Sequence, residues 1–111
     1  MAGNSEIKRT MKIVIDRVDE VPNVDDAARR ELRQSFTSMR DILIRLPEAR
    51  MVEAEMVADQ ARELLASASH KRLNQTMIRS SSSGLRQAAE RLDDIAPRVL
   101  TLCRQVTDQF S

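Results

Sequence analysis

A few groups of side chains in this sequence have chemistry to offer beyond folding. Glu55, Asp59 and Glu63 fall at i, i+4 and i+8, a spacing that stacks three carboxylates on one helix face. Such a stripe could bridge metal ions, but helical-bundle sites of that kind combine carboxylates with Glu-x-x-His pairs on two helices. The chain has one histidine, His70, with no glutamate three residues before it. The stripe therefore reads as a solvated or ion-paired face, and no metal or other cofactor is expected. His70, Lys71 and Arg72, with Arg79 a little further on, make a basic cluster that could touch phosphates. No aromatic side chain stands among them to stack on bases, so an ordinary polar loop is the competing reading.

Nucleophilic catalysis finds little support. Cys103 sits beside Leu102 on an apolar pattern, with no histidine positioned near it in sequence, and reads as an inert buried thiol. The serine run Ser80–Ser83 lacks the Gly-x-Ser-x-Gly elbow and a base. Phosphate-loop, dinucleotide and zinc-ligand spacings do not occur. No catalytic residue is assigned, and the expectation is a protein that is not an enzyme.

The positive signal is an apolar seam. Leu85, Ala88, Leu92, Ile95, Val99, Leu102 and Val106 alternate steps of three and four, and Phe110 closes the series. A pattern held for three repeats is characteristic of a coiled-coil or bundle contact. Leu85, Leu92, Ile95, Val99, Leu102, Val106 and Phe110 are therefore candidate interface residues, for a protein partner or a second copy. Closure of the chain's own core is the alternative.

The elements that must carry these residues are helices. At 111 residues the chain is one domain, spanning 1–111, with about two-thirds of its unfolded surface to bury. Apolar residues make up 41% but only Phe36 and Phe110 are aromatic, so the core is aliphatic, which suits helix packing better than sheets. Charged residues reach 32% with a net charge of only +1, a mixed-sign surface rather than a field aimed at a polyanion. One cysteine excludes an intrachain disulfide, and no apolar run has signal-peptide or membrane-span length. A cytoplasmic protein is expected.

Periodicity divides the chain into helices over roughly 5–19, 24–46, 48–68 and 75–109. Ile7, Met11, Val14, Ile15 and Val18 share one face of the first, which ends before Pro22. Leu32, Phe36, Met39, Leu43 and Leu46 line the second, with Asp25 and Asp26 at its positive end. Val57, Ala61, Leu64, Leu65 and Ala68 line the third. The joint at Pro47 is short enough to fold the second and third helices into a central antiparallel hairpin. Arg30 with Glu63, Glu31 with Arg62 and Arg40 with Glu53 have residue numbers of constant sum and opposite charges, as such a hairpin would require.

Two interruptions decide the fourth segment. Four serines and Gly84 cost about 3 kcal/mol of helix propensity relative to alanine. Burial of Met77, Ile78 and Leu85 can return about 2 kcal/mol each. A continuous helix is expected, with Ser81 and Gly84 in close, side-chain-poor contact with a neighbour; a hinge capped by Ser83 is the rival. Pro97 is expected to kink that helix, because Ile95 and Val99 keep phase across it, with a separate helix capped by Asp94 as the rival. The fold class is all-α: an antiparallel helical bundle with a central hairpin and a long, Pro-kinked C-terminal helix.

The features "LPEA", "LNQ", "GLRQAAERL" and "IAPRVL", in that order between Glu31 and Phe110, resemble a helical module of uncharacterised bacterial proteins, some found near conflict or effector systems. In that module the positions matching Ile78 to Ser83 are apolar or basic, and the serines depart from it. The resemblance implies a non-enzymatic accessory or oligomerisation role and carries no catalytic residues. Protein–protein interaction is thus the expected function. A small helical subunit of a nucleic-acid-bound assembly, touching phosphates through His70, Lys71, Arg72 and Arg79, is the alternative.

Overall fold

The computed structural model describes residues 2–22, 24–69 and 75–110. Among them lie five α-helices: α1 (Ala2–Arg17), α2 (Asp26–Leu43), α3 (Met51–Ala68), α4 (Gln75–Glu90) and α5 (Pro97–Gln109). Single 3-10 turns at Val18–Glu20 and Glu48–Arg50 end α1 and lead into α3. Asp25 caps α2, its side chain accepting the Ala28 N–H at 2.8 Å. The expected inner faces of the first three helices all turn inward, with Ile15 and Leu46 at the margin of the core.

The neighbours differ from those expected. α2 and α3 hardly touch; α1 packs on both and separates them, while α3 packs on α4 and α5 on α2. The central hairpin of α2 and α3 is therefore not a packed pair, and the charge pairs it implied do not form. Arg62 pairs with Asp59, Arg40 with its neighbour Asp41, and Glu53 with Arg50, while Glu31 accepts a hydrogen bond from Gln109. Opposite charges of constant sum are easily found on two helices this rich in Arg and Glu, and exposed pairs contribute too little to choose a neighbour. Burial of α1's Ile7, Met11 and Val14, and of Val18 in the turn that follows, decides it.

The closely packed antiparallel pair is α3 with α4. Ser67 and Ser81 share a hydrogen bond at 3.1 Å, Gly84 lies against Gln60, and Arg91 reaches the Met56 sulfur. The serine run thus lies inside a helix, and the close contact expected of Ser81 and Gly84 is made. A Cβ on Gly84 would stand 2.5 Å from the Gln60 Oε1. Small side chains are buried on both helices, Ala54, Ala58 and Ala61 on α3 and Ser82, Ala88 and Ala89 on α4; of these, Ala58 lines a cleft with α1 and Ser82 a groove with α5. Of the three residues expected to be buried here, Ile78 and Leu85 are, while Met77 is 44% exposed.

The long C-terminal helix is broken, not kinked. After Glu90 the chain turns through residues 91–96, held by the Ile95 and Ala96 N–H groups donating to the Leu92 carbonyl, and α5 starts at Pro97. The residue before a proline is pushed out of the helical region, and Ala96 has φ −142° and ψ 68°. At the first position of a helix the missing N–H of Pro97 costs nothing, whereas inside a helix it would cost about 3 kcal/mol. No side chain caps α5; Asp94 is engaged elsewhere. α5 then folds back along α4, so residues that keep phase across the break come from two antiparallel helices. The body has a radius of gyration of 13.0 Å, the value of a single compact domain.

Leu92→Ala is expected to lower unfolding free energy by about 2–5 kcal/mol, with a urea midpoint independent of protein concentration. A midpoint that rises with concentration would place Leu92 at an intermolecular contact.

Candidate functional site

The seam residues come first. Leu85, Leu92, Val99, Leu102 and Val106 are buried in the chain's own core, where α4 and α5 meet the other helices. An intermolecular surface could be made from them only by opening the fold, so for these five the core reading replaces the interface reading. Phe110 is half-buried at the core's edge. Ile95 alone projects outward, 41% exposed on the turn between α4 and α5.

That turn is fixed by one guanidinium. Arg50, at the entrance to α3, donates to both Asp94 carboxylate oxygens at 2.9 Å, to Glu53 at 2.9 Å and to the Arg91 carbonyl at 2.6 Å. The bidentate geometry is the strong form of the Arg–carboxylate pair. It holds the Asp94 carboxyl below its ordinary range. Beside the clamped turn a groove of about 530 Å³ opens between the end of α2 and the start of α5. Ile42, Leu46, Ile95 and Pro97 supply its apolar side, and Arg45 and Arg98 stand at its rim. Among the described residues neither arginine has an ion-pair partner, whereas Asp41, also lining the groove, is engaged by Arg40.

The basic cluster divides. His70, Lys71 and Arg72 lie outside the described residues. Arg79 is exposed on α4 and lines a second groove, of about 460 Å³, with Arg86 two turns on, Ser82 and Ser83 between them, and Thr107, Asp108 and Phe110 from α5. Arg86 could have been paired with Arg79 from their spacing of seven. Arg45 and Arg98 carry no such signal, because they meet only through the packing of α2 on α5.

The remaining chemistry is quiet. Among the described residues no cluster of His, Cys, Asp and Glu could hold a metal ion. Asp59 pairs with Arg62 and Glu6 with Arg9 beside a small cleft that Glu55 also lines. Desolvation pushes the buried Cys103 thiol up to about 12. No helix among the described residues is long and apolar enough to cross a membrane. Comparison of the chain with protein-family models, curated proteins and solved structures finds no match.

Two outcomes follow from these environments. Native Cys103 is expected to react with a disulfide reagent about a hundredfold more slowly than in the denatured chain; comparable rates would show an accessible thiol. The lowered Asp94 pKa means its pairing stabilises the turn fully above about pH 4 and is lost as pH falls through the folded value. Amide exchange at Ala96, corrected for intrinsic rate, should accelerate in that acid range. Asp94→Asn should exchange several-fold faster at neutral pH and lose the acid-dependent step; identical profiles would remove Arg50 as the clamp.

Proposed function

We propose that this chain is a non-enzymatic interaction module whose α2–α5 groove receives an apolar segment of another protein flanked by carboxylates. The observation that supports it is Ile95, a large apolar side chain held outward on a turn that Arg50 immobilises. Exposed apolar side chains are common singly, but Ile95 stands in a concave site with Ile42, Leu46 and Pro97. A site fixed before binding loses little entropy on association. Arg45 and Arg98, neither with an ion-pair partner among the described residues, select the occupant's charge, because seating an apolar segment between two guanidinium groups favours one that brings acidic side chains. A role as accessory or regulatory component of a bacterial effector or defence system belongs to the same proposal and rests on the resemblance of the helical pattern.

Selection of a random peptide library on the immobilised protein tests this reading. Enriched sequences should carry aliphatic or aromatic anchors beside Asp or Glu. Ile95→Ser should weaken the selected peptides about tenfold, and Arg98→Glu should weaken them at least as much. Basic consensus sequences, or binding indifferent to both substitutions, would overturn the proposal. So would a dimer in sedimentation equilibrium that Ile95→Ser dissociates, since the groove would then belong to a second copy of this chain.

A further inference from the structure

At the opposite end of α5 from the proposed peptide groove, the geometry points to a second and independent site: the α4–α5 groove binds the phosphate of a nucleoside phosphate, gripped by Arg79, Arg86 and the Ser82 hydroxyl. Arg79 and Arg86 are seven residues apart on one helix, so their Cα atoms are separated by about 10.5 Å along its axis. Both line the same concavity, and two long side chains starting at that separation can converge on one anion between them. Among the described residues neither has an ion-pair partner. An Arg fork is the side chain best matched to phosphate oxygens.

Ser82 is the independent observation. It is only 8% exposed, lines this groove between the two arginines, and makes no side-chain hydrogen bond among the described residues. Its neighbours dispose of their hydroxyls otherwise: Ser81 bonds to Ser67 across the helix contact, and Thr107 donates to the Arg104 carbonyl. The Ser82 hydroxyl is open to the groove rather than sealed in the core, the enclosed side-chain atom without a partner among the described residues being the Arg29 Nε, and so it is free to donate to an incoming phosphate oxygen. Asp108 also lines the groove, so its walls carry both signs of charge, and two arginines suit a compact anion rather than a long polyanion.

The size and walls of the site specify the rest of the ligand. A concavity of about 460 Å³ is larger than a phosphate needs. Ile78 and the half-buried Phe110 ring provide an apolar wall on which a flat base can lie, with the Gln75 amide beside them. Ser82 and Ser83, poor choices for helix propensity, put small side chains and hydroxyls where bulky residues would fill the groove.

Amide and arginine side-chain NMR shifts of the full chain, titrated with ADP, adenosine, pyrophosphate and a short oligothymidylate at low salt, test the site. ADP should shift Ser82 and the Arg79 and Arg86 side chains. Arg79→Glu or Arg86→Glu should weaken it at least about tenfold, and Ser82→Ala by about threefold. Arg104→Glu, an exposed arginine of α5 outside the groove, should leave binding unchanged. Absence of ADP shifts at millimolar concentration, or equal sensitivity to Arg104→Glu, would overturn the site. Pyrophosphate as tight as ADP would remove the nucleoside, and an oligothymidylate tighter by about tenfold or more would assign a nucleic-acid strand instead. Peptide selection on the α2–α5 groove is unaffected by any of these results, because Arg79, Arg86 and Ser82 lie outside it.

Discussion

The architecture turns on what a proline does to the residue in front of it. Pro97 forces Ala96 out of helical geometry, so the chain that leaves α4 cannot continue straight. It reverses over six residues and lays α5 back along α4, with its own face against α2. Without that reversal Val99, Leu102, Cys103 and Val106 would have no core to enter, and α2 would lose its partner on one side. Arg50 then fastens the reversal to the start of α3, tying the joint between α2 and α3 to the joint between α4 and α5. Two loops that are weak individually become one rigid end of the bundle.

At the α3–α4 contact side-chain size decides instead of backbone geometry. With two aromatic side chains in 111 residues, the core cannot gain its burial from large rings. It gains it by bringing helices close, and closeness requires alanine, serine and glycine at the contact. The serine run is unfavourable in isolation and favourable in place, because α3 offers the Ser67 hydroxyl to Ser81 and lays Gln60 against Gly84. Propensity is a property of the segment, and packing a property of the pair.

The same distinction explains what could be read from the sequence. Helix existence and inward faces were legible almost everywhere: Leu32, Phe36, Met39 and Leu43 fall inside as the spacing requires, and so do Val57, Ala61, Leu64 and Leu65. Partner choice was not. Periodicity records that a face is buried but not what buries it, so the first three helices could be placed in phase and still be given the wrong neighbours. The continuity of phase from Leu85 to Val106 misled for a related reason. Two helices joined by a six-residue turn can each present an inner face whose numbering happens to agree, and only the cost of an interior proline distinguishes that from one rod. Two seam positions fall on the turn, and they part ways: Leu92 is buried and Ile95 faces out.

Both grooves lie where helices end or begin, and that follows from the physics of a small bundle. Along their middles the five helices close on one another, and their apolar stripes are spent on the core. At the ends the chain must turn, helices diverge, and side chains such as Arg45, Arg98, Arg79 and Arg86 are left without partners of opposite charge among the described residues. A site formed this way draws residues from elements distant in sequence, which is why no spacing announces the first groove and the spacing of Arg79 and Arg86 announces only one wall of the second. It also inherits rigidity from whatever fixes the helix ends: the Arg50 clamp at one end of α5, and the packed Ile78 and Thr107 at the other. Concavity, unpaired charge and fixed geometry therefore arise together at these termini, and the two grooves differ mainly in what their floors offer, aliphatic surface in one and an unbonded hydroxyl in the other.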